Sequence, residues 1–492
     1  MWHTYYQPTT LSEALALLSQ HGDQARVIAG GTDLIIELER GVRRQRILVD
    51  ITRIPGLDRI ELDEAQGEIT LGPLVTHNDV VASPLLVERA FPLAQACWEV
   101  GAPQIRNRGT VAGNLITASP ANDTITPLWA LDAAVTLTSQ ARGSRRLTFD
   151  QFFLGVRRTA LQPDELLTGI HLRALPAHAR GAFIKLGLRR VQAISLVNAA
   201  VVVEFAEPPH LPQRSSRGNG TIWEELPVVC ARIALGAVAP TIVRAEAAEA
   251  SLVGRALTDE AIAEASRLAM EAARPIDDVR ASADYRRDMV RVLVARALRL
   301  VREGNERANW PDRPVLLRSP VADHPSPTTE PWPPVADHGS SVTLRLNGRT
   351  VTLEHAAGKT LLRALREDGH MTGVKEGCAE GECGACTVWL DGQAVMACLV
   401  PAERAAGCDV VTVEGLARNG DLHPIQSAFI AEGAVQCGYC TPGLVMSGAM
   451  LLQERPDPTF SDIQQALAGN LCRCTGYAKV IAAVEKASKQ AR

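Results

Sequence analysis

Eight cysteines near the C-terminal end carry the most specific chemistry in this chain. Cys378, Cys383, Cys386 and Cys398 are spaced C-x4-C-x2-C-x11-C. The first three match the spacing that holds a plant-type 2Fe–2S cluster. The run Glu376-Gly377-Cys378-Ala379-Glu380-Gly381-Glu382-Cys383-Gly384-Ala385-Cys386 carries glycine at three positions between and beside them. A loop wrapped round a cluster must turn tightly and aim backbone N–H groups at sulfur, which glycine permits. Cys437, Cys440, Cys472 and Cys474 form a second group, C-x2-C-x31-C-x1-C. Both of its pairs are expected at helix starts, where partial positive charge favours thiolate. Pro442 follows Cys440 closely and suits a first helical turn. Cys408 is read as structural. Two zinc sites of four cysteines each are the alternative. Three thiolates within nine residues suit a cluster loop better.

A second chemistry is suggested near the N-terminus. Ala29-Gly30-Gly31-Thr32-Asp33-Leu34 follows an expected strand and opens an expected helix. Two glycines there let backbone N–H groups approach a pyrophosphate, reinforced by the helix dipole. Asp33 is expected to cap the helix rather than meet phosphate, since like charges repel. Arg106-Asn107-Arg108-Gly109-Thr110-Val111-Ala112-Gly113-Asn114, then Ala118-Ser119-Pro120-Ala121-Asn122-Asp123, form a second segment of small and hydrogen-bonding residues. The bland reading of both is an ordered turn with capping residues. No G-x-G-x-x-G follows a strand, so a Rossmann site is not supported. Lys185 is the only lysine in the first 340 residues, against 36 arginines.

These groups need scaffolds. The chain has 492 residues, more than one core usually supports. Hydrophobic residues make up 46% and charged residues 22%, which excludes extensive disorder. A formal charge of −4 argues against a nucleic-acid or acidic-membrane binder. No apolar run is long enough to span a bilayer. The start Met1-Trp2-His3-Thr4-Tyr5-Tyr6-Gln7-Pro8 does not read as a signal peptide, so the cytoplasm is the expected location. Reduced cytosolic thiols in such a cluster read as metal ligands.

Eight prolines between Pro311 and Pro334, with Val-Ala-Asp-His at 321–324 and again at 335–338, predict an extended linker unable to bury apolar surface. Ahead of it, Thr10-Leu11-Ser12-Glu13 opens an amphipathic helix. Short strands are expected at Val27–Ala29, Ile47–Asp50 and Ile69–Gly72. Longer strands are expected at Ala199–Phe205 and Val228–Val238, with helices at Glu260–Ala273 and Ala283–Arg302. After the linker, alternation from Val342 to Leu353 broken at Asn347-Gly348 predicts a hairpin. A short helix is expected at Thr360–Arg366 and a second hairpin at Val388–Val395. Pro424–Ala431, Pro442–Glu454, Ser461–Ala468 and Val480–Lys489 read as helices.

The stretches Gly377–Cys386, Gln436–Pro442 and Asn470–Tyr477 resemble the two-cluster iron–sulfur part of the molybdenum hydroxylases, the xanthine dehydrogenase and carbon monoxide dehydrogenase family. All eight ligand positions are filled. The two Gly-rich segments resemble the FAD-binding medium subunit of that family over most of residues 1–300. The implied fold class is α+β multidomain. A two-subdomain α/β FAD-binding domain (1–175) and an α+β flavoprotein C-terminal subdomain (176–305) precede the Pro-rich linker (306–340). A β-grasp ferredoxin-like 2Fe–2S domain (341–418) and a four-helix 2Fe–2S domain (419–492) follow it.

The resemblance implies FAD held by Val27, Ile28, Ala29, Gly30, Gly31, Thr32, Asp33 and Leu34, and by Thr110, Val111, Ala112, Gly113 and Asn114. Asp123, Leu167 and Lys185 would contact it from further along, and Arg189-Arg190 would edge it. It implies two 2Fe–2S clusters on the eight cysteines, and Gln436 touching a molybdopterin cofactor on a partner subunit. Two departures stand out. The flavin part precedes the iron–sulfur part, the reverse of animal-type single-chain relatives. Val191-Gln192-Ala193 stand where NAD-reducing members carry acidic residues.

The implied function is electron transfer within a molybdenum-dependent hydroxylase or dehydrogenase. A separate large molybdopterin-binding subunit is the expected partner, in a heterodimer or dimer of heterodimers, with an external electron acceptor, no nucleic acid and no membrane span. The alternatives are a self-standing flavin/iron–sulfur reductase and a zinc-stabilised interaction scaffold.

Overall fold

The computed structural model describes residues 2–207, 223–320, 335–336 and 340–490. Its N-terminal sheet pairs Thr4–Tyr6, Ile47–Asp50 and Ala25–Ile28 in parallel, with Val335–Ala336 antiparallel at its edge. Helix Leu11–His21 crosses between the first two strands in sequence. The Thr10 hydroxyl caps it by accepting the Glu13 N–H at 3.2 Å, and Ala14, Leu15 and Leu18 are buried. The strand Ala25–Ile28 therefore delivers its C-terminal end, with Gly30-Gly31, to the head of helix Leu34–Glu39.

The next sheet is antiparallel, in the order Ile60–Asp63, Glu68–Leu71, Glu165–Arg173, Ala134–Ser139, Gly143–Thr148. Helices between residues 77 and 130 pack a large core against it. Beyond it, Ala179–Leu186, Val197–Phe205 and Val228–Gly236 form a third, antiparallel sheet backed by helices Asp259–Ala272 and Ala283–Glu303. Val197–Phe205 is buried along its whole length, because its two faces serve two cores. Ala200 and Val202 join the core of the preceding domain, while Ala199, Val201 and Val203 face the helices.

In the C-terminal lobe, Val342–Leu346 and Arg349–Leu353 pair around Asn347-Gly348, whose φ values of 51° and 81° make the tight turn. The strands Asp409–Val411, Thr387–Leu390 and Gln393–Met396 complete that sheet. Helices Pro424–Ala431, Thr441–Glu454, Phe460–Leu467 and Ala478–Gln490 enclose a separate core.

The Pro-rich stretch departs from expectation. Val315 and Leu317 are 1% and 0% exposed, in the core of the helical half. Between Pro314 and Pro320 the backbone keeps its donors, and the Glu454 carboxylate accepts the N–H groups of Leu316 and Leu317 at 3.0 and 2.6 Å. Arg318 reaches back to Asp79 and Asn107 of the first lobe. This part of the linker is a staple between the lobes. Residues 321–334 lie outside the described residues. Among the described residues, no helix is long and apolar enough to cross a membrane.

Candidate functional site

A cavity of about 630 Å³ opens at the end of strand Ala25–Ile28. Every residue from Val27 to Leu34 lines it, with Thr110, Ala112, Gly113, Asn114 and Leu167. Its volume is in the range of small-molecule and cofactor sites. Val111 does not line it; its side chain turns into the hydrophobic core. The two glycines serve different ends. A side chain at Gly30 would collide with the backbone of Arg108 and Gly109, so this glycine lets the two Gly-rich segments pack together. Gly31 has φ +78° and gives the loop its turn. The Gly113 N–H is taken by the Thr110 hydroxyl at 2.9 Å, which caps helix Val111–Thr117.

Asp33 stands at the N-cap of helix Leu34–Glu39, yet its carboxylate makes no cap bond. Its backbone is already helical (φ −104°, ψ −46°), so the side chain does not reach back over the first turn as expected. Burial, then Glu37 beside it, pushes its carboxyl up. Asp123 and Lys185 meet each other rather than the cavity. Lys185 Nζ donates to Asp123 Oδ2 at 2.6 Å and to the Glu99 carbonyl at 3.0 Å. The Ser195 hydroxyl donates to the other Asp123 oxygen. Burial raises the Asp123 carboxyl, and Lys185 pulls against it.

The cavity has a wall that sequence reasoning did not foresee. Glu380, Gly381 and Glu382, from the cysteine loop, line it together with Leu399. Arg40 pairs with Glu380, and Arg189 with Glu382 at 3.1 Å, so two arginines of the first lobe hold this loop in place. His77 also lines the cavity; burial, then Arg106, drives its imidazole down to about 3, and it is neutral. Nothing local in the sequence marks these contacts.

None of the eleven cysteines forms a disulfide. In the ferredoxin half, Cys378 contacts Cys383 and Cys386 contacts Cys398, thiol to thiol. The Cys383 thiol holds Cys378 down at about 5, against burial, and three backbone N–H groups help. These come from Glu380, Glu382 and Cys383, at 3.3 to 3.4 Å from the Cys378 sulfur. In the helical half, Cys440 contacts Cys472, and Cys437 contacts Cys474. Cys440 is the N-cap residue of helix Thr441–Glu454, with Pro442 in its first turn. Cys472 and Cys474 are not at a helix start; helix Ala478–Gln490 begins four residues after Cys474. The Cys472 sulfur, which burial would push up, is favoured as thiolate by the Thr475 hydroxyl at 3.1 Å and its N–H at 3.4 Å.

Four thiols gathered in each group are the donor set that would hold a 2Fe–2S cluster. Among the described residues, no three His, Cys, Asp or Glu side chains converge as ligands of a single ion would. Cys408 is buried against Arg404. Gln436 is exposed, as are Cys437 and Cys474.

Comparison with known proteins follows this division. Residues 2–174 match a family described as the FAD binding domain in molybdopterin dehydrogenase. Residues 182–301 match the CO dehydrogenase flavoprotein C-terminal domain, and 344–410 and 412–485 match two 2Fe–2S binding domains. The carbon monoxide dehydrogenase medium chain of Hydrogenophaga pseudoflava is 33% identical over 294 residues, 60% of this chain and 95% of that protein. The chain belongs to the molybdenum hydroxylase family. The nicotinate dehydrogenase small FeS subunit of Eubacterium barkeri is 48% identical over 147 residues, 30% of this chain and 94% of that one. A structure of carbon monoxide dehydrogenase from Hydrogenophaga pseudoflava superposes with TM-score 0.54 at 33% identity, covering 61% of this chain and 97% of that one. This molybdenum hydroxylase family member therefore joins FAD-binding and 2Fe–2S parts in one polypeptide. It is an electron-transfer subunit of an oxidoreductase.

Proposed function

We propose that the chain carries electrons from a separate large molybdopterin-binding subunit, through a cluster on Cys437, Cys440, Cys472 and Cys474 and one on Cys378, Cys383, Cys386 and Cys398, to FAD and an external acceptor. The redox chemistry belongs to these groups when bound, and the protein supplies position and environment. One observation carries the reading. The loop bearing Cys378 and Cys383 is itself a wall of the cavity lined by Val27 to Leu34.

In this reading Val27 to Leu34, Thr110, Ala112, Gly113, Asn114 and Leu167 hold the flavin. The Asp123–Lys185 pair fixes the sheet edge behind them. Glu380 and Glu382, tied to Arg40 and Arg189, keep the cluster loop against the flavin. The domain with strands Val342–Met396 is a β-grasp ferredoxin-like unit. The exposed cysteines 437 and 474, with Gln436 beside them and Ile430 68% and Tyr439 49% exposed nearby, form the face offered to the molybdopterin subunit. The likeness to small and medium subunits of multisubunit enzymes supports this partner. Affinity purification of the tagged chain from its own cells tests it. A stoichiometric large chain containing molybdenum is the expected result, and recovery of an active chain with flavin and iron alone would favour a self-standing reductase.

A further inference from the structure

Gln104 lies far in sequence from both cysteine groups and sits in the flavin lobe, on the short helix Pro103–Arg106. It is fully buried, and its amide points into the iron–sulfur lobe. Its Nε2 donates to the Ser447 hydroxyl at 2.9 Å and to Asn470 Oδ1 at 3.0 Å. Asn470, itself 1% exposed, is a hub. Its Nδ2 donates to the Gly384 carbonyl at 2.9 Å and to the Thr387 hydroxyl at 3.2 Å, and its Oδ1 also accepts from Ser447 at 2.7 Å.

These partners belong to the two cysteine groups. Gly384 lies between Cys383 and Cys386, and Asn470 lies two residues before Cys472. Next to the hub, the Leu471 N–H donates to the Cys383 carbonyl at 2.9 Å. The Tyr477 hydroxyl accepts the Cys472 N–H at 2.7 Å and donates to the Asn470 carbonyl. The packing leaves no slack. A methyl at Gly384 would strike the Gly469 carbonyl, one at Gly443 would strike the Gly384 carbonyl, and one at Gly469 would meet the Ala102 side chain at 2.8 Å. Gln104 Oε1 is buried without a partner, a cost the fold accepts to hold the amide here.

We propose that Gln104 is a positioning residue for transfer between the two clusters: through Asn470, the flavin lobe sets the separation of the Cys383–Cys386 loop and the Cys472 loop. A neutral amide suits the task. It donates twice without bringing a charge between two negative clusters, and Asn470 Oδ1 needs donors once its Nδ2 is committed to Gly384. The geometry between the clusters is then a property of the docked chain, not of the iron–sulfur lobe alone. This rests on the two-cluster assignment above.

The test uses the full chain with flavin and iron in place. Gln104→Leu keeps the volume and removes both donated bonds. Electron paramagnetic resonance of the fully reduced protein reads the spin–spin splitting between the clusters, and rapid mixing with a one-electron reductant reads their equilibration. The expected result is unchanged flavin and iron content, altered splitting, and equilibration slower than in the wild type. Asn470→Leu, which removes the hub's hydrogen bonds without adding a charge, should give the same signature, and the double variant no more than either single one, because both act through one linkage. Gln95→Ala, which breaks a half-buried glutamine contact within the flavin lobe, should leave the splitting unchanged. If Gln104→Leu loses iron, Ser447→Ala decides, with a smaller change in the same direction expected. Wild-type splitting and equilibration in Gln104→Leu, or in Ser447→Ala where that variant decides, would overturn the proposal. A wild-type protein with one cluster signal would instead overturn the two-cluster reading.

Discussion

Gly31 of the flavin lobe and Leu399 of the ferredoxin half meet directly: a methyl group on Gly31 would stand 2.7 Å from the Leu399 carbonyl oxygen. Leu399 follows Cys398, so one glycine borders the cavity and the backbone beside that cysteine at once. Its φ of +78° adds a conformational demand that other residues meet only with strain.

Gly31→Val should therefore do two things. It should abolish stoichiometric FAD binding, because the loop Ala29–Leu34 can no longer turn. It should also shift the resonance signal of the ferredoxin-half cluster, since the lobes are stapled together through Leu399 and Arg318 rather than folding independently. Iron content should stay near wild type. Flavin fluorescence after acid release, iron analysis and the reduced spectrum check this, and full FAD retention would count against the cavity assignment.

Cys383→Ser and Cys472→Ser should remove different signals. Each group holds two thiol pairs, and the pairs do not cross between groups. Cys383→Ser should erase or perturb the ferredoxin-half signal and leave the other. Cys472→Ser should do the reverse. Loss of the same signal in both variants would show the groups to be wrongly drawn.

How much of this could be read beforehand follows from the range of each signal. The Asn347-Gly348 hairpin, the Thr10 cap and helix Pro424–Ala431 depend on neighbours within a few residues, and each is found where its local pattern puts it. The cysteine groups are legible for the same reason, since ligand spacing is local except for the gap between Cys440 and Cys472. Contacts between lobes leave no such mark. Glu380 and Glu382 sit in plain view inside the cysteine loop, yet nothing nearby says that one faces Arg40 and the other Arg189. Gly30 was legible as a required glycine, but not its packing partners: it meets Arg108 and Gly109, 78 and 79 residues on. The proline count misled because it averaged over Val315–Arg318, four residues with intact donors.

Breaking the Asp123–Lys185 pair should cost stability well beyond a surface substitution. Both side chains are under one-tenth exposed. Lys185→Met leaves a buried carboxylate without its counter-charge, and a loss of about 3–5 kcal/mol is expected. Asp123→Asn combined with Lys185→Met removes both charges and should recover much of it. Chemical denaturation of the full chain measures both.

Stability should also fall with rising pH through the neutral range, and Glu403 is the cause. Its carboxylate is buried where the flavin lobe meets the ferredoxin half, accepting from Trp2 Nε1 at 2.8 Å and the Gly358 N–H at 2.7 Å. Burial pushes it from an ordinary 4.5 up to about 7, with Asp50 adding to the rise. The folded state thus binds the proton more tightly than the unfolded chain. The contribution is full below the unfolded value and is lost as pH rises through about 7. The loss amounts to about 3 kcal/mol at most. Glu403→Gln keeps a similar shape without the charge and should flatten the profile between pH 5 and 8 in thermal melts; an unaltered slope would assign it to other groups.

The last expectation concerns where electrons leave. The segment after Arg189-Arg190 borders the cavity through Gln192, Ala193 and Ile194. Arg189 stays exposed but donates to the Val191 and Gln192 carbonyls and to Glu382, bonds that must break before it meets an incoming phosphate. Leu188 and Ile194, 72% and 63% exposed, give this rim an apolar edge. A free carboxylate in this segment could orient a nicotinamide or accept from its amide; Val191 and Ala193 can do neither, the neighbouring Glu382 is engaged by Arg189, and no dinucleotide fingerprint stands elsewhere in the chain. The assembled complex should therefore reduce an artificial dye, a quinone, oxygen or a carrier protein much faster than NAD. Steady-state turnover with each acceptor in turn measures this. Efficient NAD reduction that is abolished by removing FAD would mean that Arg190 and the residues around Lys185 hold the nicotinamide, with Arg189 released from Glu382 when it binds.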